Sequence, residues 1–530
     1  MKLHQNKWFL IIIILIFQTA VLCCFGSYKK GMHFDECFSY FNTNNSVGRG
    51  AYDRSYVTSE DIMKDFYVLS GEGFNYPYVV KLQSYDVHPP VFYLLLHTLC
   101  SFMPGVFSMW QGLALNIIYA LISSVIIYFI AYEFTHKETV SFVIALSCAI
   151  NPGTVCNVMY IRMYCLMSLW IVLCIYLHQK MDKYEELNNL PIKYCILSGV
   201  LAILGFLTHY FYLVFLFFIE AAFIIPRLFA FKKNIKGIIN YGLSVLLAGI
   251  LGVLVYPSCL GHVHSGYRGQ EVQSYLLDAS DIFDRLSFFG GLANRFIFSG
   301  FMYIFVLIGV LLLVAAYYKK KRGTQTDERV GEFVKFIFIP TVGYFLVSAK
   351  CSLLGDEAMM RYQLPIYALI VLSLALIIYG CATFVFNDKK WKVIIPCVIG
   401  VVFIALNAVG LVKKNVFYLY PEQEKMNEIA QSVSDCDCLY IYNSENSKYL
   451  LWNDFKQLSY FDKVYFVNSE DMTPITEKEI SESKKLVVFI STLGEKDFDE
   501  YKSFIQESNE NVSSCTKLYD AMYAKVYCFE

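Results

Sequence analysis

Long apolar runs, separated by short polar stretches, dominate the first 412 residues of the chain. A helix needs about 20 predominantly apolar residues to cross a bilayer, and most of these runs reach that length. They lie near residues 8–25, 110–132, 139–153, 157–178, 192–209, 211–230, 236–256, 295–318, 331–348, 364–386 and 391–412. The pattern therefore predicts a polytopic α-helical membrane protein with about eleven transmembrane helices.

The first apolar run is also similar to the start of a secretory signal, because Lys2 and Lys7 precede it. No small-residue cleavage site follows the run, and residues 8–25 are long for a signal core. We therefore interpret this run as a retained first span, with the N-terminus in the cytoplasm.

Basic residues cluster in alternate connections between the predicted spans, and such loops generally stay in the cytoplasm. The basic clusters lie near residues 136–137, 180–183, 232–236, 319–322 and 389–392. Residues 88–103 would reverse this order if they crossed the membrane, but they are short for a span and contain two prolines near their start. We expect them to form a helix along the membrane surface, inside a first external loop at about residues 26–109.

The composition changes after residue 412, which divides the chain into a membrane domain (1–412) and a tail (413–530). The tail holds 13 Lys and 21 Asp and Glu, a net charge of −8, whereas the whole chain has −1 and residues 1–412 therefore carry +7. Short β-type runs at 439–442, 463–467 and 486–490 alternate there with charged helical runs at 448–458 and 495–507. This alternation predicts a small α/β domain, and an odd number of spans places it on the extracytoplasmic side.

Composition excludes several other classes of protein. Hydrophobic residues make up 56% of the chain and charged residues 17%, with a mean hydropathy of +0.46. A soluble globular protein has about 25% charged residues, so a cell-membrane protein embedded in the lipid bilayer is favoured. The sequence has no CxxC pair, so a zinc-ribbon or thioredoxin-like protein has no support. It has no phosphate-binding loop or Rossmann fingerprint, so we expect no nucleotide site, and we expect no nucleic-acid partner.

Ionisable and aromatic residues gather at the predicted external ends of the spans, where a charge close to lipid is costly and marks function by default. A carboxylate there can act as general base toward a hydroxyl, and arginines can bind a phosphate through charge-assisted hydrogen bonds. The catalytic candidates are Asp35, Glu36 and Asp86, and the candidates for binding donor phosphate or substrate are His88, Arg162, Tyr164, His209, Arg361 and Tyr362.

Each candidate also has a structural explanation. The first-loop carboxylates could be solvated, and Asp86 could cap a helix that has the two prolines in its first turn. Arginines near a span end can simply extend to the membrane surface, and a single histidine such as His209 is more often structural. His262 and His264 could form a metal pair, but no third ligand is visible, so a divalent metal is unsupported.

The order of these residues resembles a known family. Asp-Glu after the first span, Asp-x-His-Pro-Pro-Val-Phe-Tyr-Leu-Leu-Leu-His at 86–97, Asn-Pro followed by Arg-Met-Tyr, and Thr-His-Tyr at 208–210 are similar to bacterial GT-C membrane glycosyltransferases. The resemblance is to the family 39-like members, related to protein O-mannosyltransferases and aminoarabinose transferases, and covers residues 1–380 or so. It implies a GT-C-like fold and an enzyme that moves a sugar from a polyprenyl-phosphate carrier to an extracytoplasmic acceptor.

The resemblance also implies roles for single residues. Asp35 matches the acidic catalytic residue of the family's first loop, with an acidic neighbour after it. His88 occupies the position before the paired prolines, which lies near the donor phosphate in relatives, and Arg361 fits the late-loop arginine that contacts the carrier phosphate. Some relatives have a second acidic residue in the stretch that is 162–164 here, and this sequence has none there. Asp86 could replace it.

Two rival classes remain at this level. A transporter or flippase of lipid-linked or cell-envelope substrates would place ionisable residues near the bilayer midplane and show inverted repeats. A membrane-anchored receptor would bind a ligand through its tail and would not need the first-loop carboxylates. The clustering of polar residues at one membrane face favours the glycosyltransferase.

Overall fold

The computed structural model describes residues 2–45, 56–277, 280–320, 329–442, 453–476, 478–492 and 498–530. The chain divides into two compact units. We call the first the helical unit; it comprises Met1–Gly26, Gln83–Phe92 and Gly112–Phe417. We call the second the sheet unit; it comprises Ser27–Leu82, Tyr93–Gln111 and Tyr418–Glu530. Each unit is therefore assembled from segments that are distant in sequence.

Helices make up most of the described chain. In chain order they are α1 (Lys2–Tyr28), α2 (Phe34–Asn44), α3 (Ser59–Lys64), α4 (Tyr76–Tyr85), α5 (Val91–Ser101), α6 (Met109–Thr135), α7 (Glu138–Ala149), α8 (Pro152–Met159), α9 (Tyr164–Asp182), α10 (Ile192–Phe206), α11 (Tyr212–Leu228), α12 (Phe231–Val255), α13 (Ser258–His264), α14 (Tyr267–Leu277), α15 (Ile282–Phe298), α16 (Met302–Lys320), α17 (Arg329–Phe333), α18 (Ile339–Cys351), α19 (Tyr367–Val385), α20 (Trp391–Val412), α21 (Glu422–Ser432), α22 (Phe455–Leu458), α23 (Lys478–Ser481) and α24 (Phe498–Ser508). The strands are β1 (Tyr56–Thr58), β2 (Asp437–Tyr442), β3 (Lys463–Asn468), β4 (Leu486–Ser491), β5 (Cys515–Asp520) and β6 (Ala524–Phe529).

Eight helical stretches in the described part of the chain are long and apolar enough to cross a membrane, and the bent pair α7 and α8 would make a ninth. One of the eight is Val330–Cys351, which runs from α17 through α18. The expected total of about eleven also includes α10 and α11, which have 15 and 17 residues. Both are shorter than the ~20 residues that a straight span needs. The multi-pass helical class is thus confirmed, while the count of eleven stays a prediction.

Two expected spans are interrupted by local backbone chemistry. Helices α7 and α8 meet at 51°, because the Asn151 side chain caps α8 and Pro152 follows as its first residue. The run expected at 295–318 is divided between α15 and α16, because Ser299 and Gly300 take φ angles of 52° and 90°. This left-handed conformation ends α15, and the glycine adopts it at little cost.

The sheet unit is built on six strands in the order β1-β3-β2-β4-β6-β5. Strand β2 is parallel to β3 and β4, and the remaining pairs are antiparallel. Leu439, Ile441 and Val488 point to one face of the sheet, where they share a core with Tyr501 and Ile505 of α24. The face is apolar because alternate residues of a strand point the same way.

The sequence predicted three strands and two helices of the tail. The strands expected at 439–442, 463–467 and 486–490 are present as β2, β3 and β4. Strands β5 and β6 were not predicted, and β1 is contributed by residues 56–58 of the first loop. Of the helices expected at 448–458 and 495–507, the structure describes α22 and α24, and residues 448–452 and 495–497 lie outside the described residues. The run at 88–103 contains α5, whose 11 residues are too few to span a bilayer.

Candidate functional site

Three basic side chains come together in the helical unit. Nη2 of Arg162 lies 3.3 Å from Nδ1 and 3.4 Å from Nε2 of His88, and the rings of His88 and His209 have their centroids 6.1 Å apart. Asp86 also contacts His88, with Oδ2 3.1 Å from Nδ1. A guanidinium can only donate, so the imidazole satisfies both neighbours when Nδ1–H donates to Asp86 and Nε2 accepts from Arg162. We call Asp86, His88, Arg162 and His209 the cationic cluster.

Burial and charge set the protonation of this cluster. Burial raises the pKa of the Asp86 carboxyl, but the charge and hydrogen bond of His88 and the charge of Arg162 outweigh it, so the pKa is lowered and Asp86 is ionised. Burial, together with the charges of His88 and Arg162, holds the pKa of His209 well below its ordinary value. His209 is therefore a neutral hydrogen-bonding group at neutral pH. It lies near Arg162, whose positive charge is balanced by the Asp86 carboxylate.

Arg162 is presented by a tight turn between α8 and α9. Its backbone N–H donates to Tyr160 O at 2.7 Å. The Asn116 amide fixes the same turn by donating to Val158 O and Tyr160 O at 3.0 and 2.8 Å. The run expected as a span at 157–178 is therefore interrupted: residues 157–159 belong to α8, residues 160–163 form the turn, and α9 begins at Tyr164.

The other members of the cluster lie on two joined segments. The His209 ring accepts a hydrogen bond from the backbone N–H of Phe211 at 3.1 Å, and the backbone N–H of His209 donates to Gly205 O at 3.0 Å. Val91, which follows the prolines after His88, donates through its N–H to Leu207 O at 3.0 Å. This bond fixes the His88 segment against the His209 segment.

Aromatic rings border the cluster. The Tyr164 ring is buried, stacks on Tyr160 with centroids 5.7 Å apart, and lies 5.2 Å from the His209 ring. Tyr362 lies 5.9 Å from the Phe211 ring, which itself is 5.5 Å from His209.

Arg361 contacts the Tyr362 ring and so lies further from the cationic cluster than the other binding candidates. It is buried, lies on the short 3-10 helix Glu357–Tyr362, and has its guanidinium 5.2 Å from the centroid of the Tyr362 ring. The structure thus brings Asp86, His88, Arg162, Tyr164 and His209 together, and connects Arg361 and Tyr362 to them through Phe211.

Asp35 and Glu36 lie in the sheet unit, at the start of α2. His33 caps this helix: its ring accepts from Asp35 N at 3.1 Å, and Glu36 Oε2 accepts from His33 N at 2.7 Å. This reciprocal arrangement is a capping box with histidine in the capping position. The Asp35 carboxylate is 29% exposed and lies 3.6 Å from the His33 ring, whereas Glu36 is fully buried.

Lys29 explains why Glu36 can be buried. Its Nζ lies 3.0 Å from both carboxylate oxygens of Glu36 and donates to Tyr418 O at 2.6 Å. Burial lowers the pKa of the Lys29 ammonium, against the opposing effect of Glu36. Glu36 therefore holds the helix start in place, and of the two acidic residues only Asp35 is accessible to a substrate. Sequence reasoning missed Lys29, although a lysine directly after the first span, on the side where basic residues are scarce, was a usable signal.

Two further polar residues near span ends, His262 and Asp356, have structural partners. His262 lies 3.0 Å from the Tyr210 hydroxyl and 3.3 Å from Ser84 O. Among the described residues, no group of three or more His, Cys, Asp or Glu could hold a metal ion, so the His262 and His264 pair gains no third ligand. Asp356 caps the 3-10 helix by accepting from Ala358 N at 3.0 Å.

Comparison with known proteins identifies solved structures with a similar fold. No protein-family model matches the chain, and no curated protein matches it. ArnT from Cupriavidus metallidurans, solved with bound undecaprenyl phosphate, is similar with a TM-score of 0.51 at 10% identity, over 98% of this chain and 97% of that one. An oligosaccharyltransferase from Archaeoglobus fulgidus in the apo form gives a TM-score of 0.48 at 11% identity, over 96% and 69%. The chain thus has an ArnT-like fold, which confirms the GT-C-like fold class expected from the sequence.

Proposed function

We propose that this protein is a membrane glycosyltransferase that transfers a sugar from a polyprenyl-phosphate carrier to an extracytoplasmic protein, lipid or cell-surface glycan. The observation that carries the proposal is the cationic cluster, in which Arg162, His88 and His209 approach one another from three segments on an ArnT-like fold. The ArnT neighbour binds undecaprenyl phosphate, which is the kind of ligand that such a cluster would accept.

The charge of the cluster suits the reaction. A carrier-linked sugar has a phosphodiester with one negative charge, and the carrier phosphate gains a second charge as it leaves. Arg162 would stabilise this developing charge more strongly than the charge of the bound donor. Interactions that strengthen in the transition state accelerate the chemical step. Asp86 would keep His88 oriented toward the phosphate.

Asp35 would act as general base. It would take the proton of the acceptor hydroxyl while the acceptor oxygen bonds to the anomeric carbon of the sugar. The bond from that carbon to the phosphate oxygen breaks, and the polyprenyl phosphate leaves with the electron pair. The partial exposure of Asp35 and its place at the start of a capped helix support its role as general base. Tyr164, Arg361 and Tyr362 would complete the binding site around the donor.

The proposal includes a topology. The N-terminus would be cytoplasmic, residues 1–412 would form the transmembrane domain, and the tail of 413–530 would form the extracytoplasmic α/β domain. In the sequence, Asp35 follows the end of α1 and Arg162 precedes the start of α9, and these places support chemistry at the extracytoplasmic ends of the spans.

The test is sugar transfer by the purified full chain with a polyprenyl-phosphate-linked sugar as donor. Asp35→Asn keeps the shape of the side chain and removes the base, so kcat should fall by about 10² to 10⁴-fold with little change in KM. Glu424→Gln is the matched control, because Glu424 forms an exposed ion pair in the same unit. Turnover by Asp35→Asn at the control's rate would remove Asp35 from the mechanism.

One observation favours the transporter as a second candidate. Inside the helical unit, the Tyr241 hydroxyl donates to Glu220 Oε1 at 2.9 Å and lies 3.2 Å from Nε2 of His178. Ionisable side chains inside a helix bundle are typical of transport pathways. Under this reading Glu220→Gln would abolish lipid translocation in vesicles, whereas a glycosyltransferase would retain sugar transfer in that variant.

A further inference from the structure

His262 bridges the two segments that carry most of the cationic cluster. One ring nitrogen faces Tyr210, the residue after His209, and the other faces the carbonyl of Ser84, two residues before Asp86. We propose that His262 is a positioning residue for the cationic cluster. It holds the Asp86–His88 segment at a fixed distance from His209. This inference rests on the function proposed above.

The chemistry of the two contacts fixes one state of the ring. A carbonyl oxygen only accepts, so Nε2 must carry a proton and donate to Ser84 O. Nδ1 is then an acceptor, and the Tyr210 hydroxyl donates to it at 3.0 Å. A neutral imidazole meets both demands at once, and its rigid ring fixes the separation of the two partners.

The surroundings of His262 agree with this role. The ring packs edge-on against Tyr256, with centroids 5.8 Å apart, and Tyr256 is buried. Burial raises the pKa of both the Tyr210 and the Tyr256 hydroxyl, and the nearby negative charge of Asp86 raises them further. His264, on the same short helix α13, is exposed and serves as a control.

The contacts predict a specific kinetic pattern. Because His262 acts on groups that bind phosphate, His262→Ala should raise KM for the polyprenyl-phosphate-linked sugar by about tenfold and lower kcat by less than about threefold. His262→Gln keeps an N–H toward Ser84 and should recover part of the loss. Tyr210→Phe should raise KM less than His262→Ala, and adding it to His262→Ala should have no further effect. His264→Ala should match the unmodified protein.

The experiment measures both kinetics and lipid binding with the full chain in detergent micelles. Binding of undecaprenyl phosphate is followed by its protection against thermal unfolding, which needs no turnover. Unchanged binding and KM in His262→Ala, or additive losses from Tyr210→Phe and His262→Ala, would overturn the positioning role. A protein that binds the lipid but transfers no sugar would overturn the proposed function, while the binding constants would still decide the role of His262.

Discussion

Replacement of Lys29 by methionine tests whether the buried ion pair fixes the start of α2, where Asp35 lies. Lys29 and Glu36 have no exposed side-chain surface, and Lys29 Nζ lies 3.0 Å from the Glu36 carboxylate oxygens. Removal of one partner leaves the other charge buried, which costs about 3–5 kcal/mol. The neighbouring pair of Lys30 and Glu424, 2.7 Å apart, is 35% and 53% exposed, and its loss should cost less than about 1 kcal/mol.

Cys37 provides the assay, because its thiol is buried one residue after Glu36. Burial and the adjacent carboxylates raise its pKa well above the ordinary value, so the folded protein should react slowly with an alkylating reagent. Pulsed alkylation of the full chain, read by mass spectrometry of the Cys37 peptide, then reports the opening of this region. A loss of 3–5 kcal/mol corresponds to labelling that is roughly 150-fold to 5,000-fold faster in Lys29→Met.

Two variants make the result decisive. Lys30→Met should label less than about sixfold faster than the unmodified protein. Combining Lys29→Met with Glu36→Leu removes both charges and should restore most of the protection, because an apolar pair of similar volume is often as stable as a buried ion pair. Equal labelling rates in Lys29→Met and Lys30→Met would refute the reasoning.

Three further predictions concern charge and pH. Arg162→Lys keeps the charge but loses the planar fork, so KM for the donor should rise by about tenfold or more, as measured by initial rates. Because the pKa of His209 is lowered in the folded protein, stability should fall as the pH drops below about 6.5, and His209→Gln should lose less stability in acid-unfolding titrations. Burial raises the pKa of Asp454 to about 7, so stability should fall as the pH rises from about 4 to 7, and Asp454→Asn should remove this dependence; an unchanged slope would contradict it.

The candidate site was predictable to the extent that it consists of residue types next to span ends. Asp86, His88, Arg162 and His209 stood out because charged and polar residues are costly there, and they do lie together. The sequence contains no information about the distances between these residues. The contacts from Asp86 through His88 to Arg162 are therefore visible only in the folded structure.

Glu36 shows the opposite case. As a sequence, Asp35 and Glu36 are two equivalent acids after a span. The structure distinguishes them because consecutive residues of a helix start point in different directions: Asp35 is partly exposed, and Glu36 turns inward to His33 and Lys29. A capping box with histidine at its first position is also difficult to predict, since Ser, Thr, Asp and Asn are the usual capping residues.

The membrane class, the approximate spans, three strands of the tail and the candidate chemistry could be predicted from the sequence, because hydrophobic periodicity and charge are local properties. Tertiary structure alone decided that β1 from the first loop joins the tail sheet beside β3, and that His262 lies between Ser84 and Tyr210 rather than at a metal site. These contacts join residues that are tens to hundreds of positions apart, and their geometry depends on how the elements pack. Local patterns contain no information about that packing.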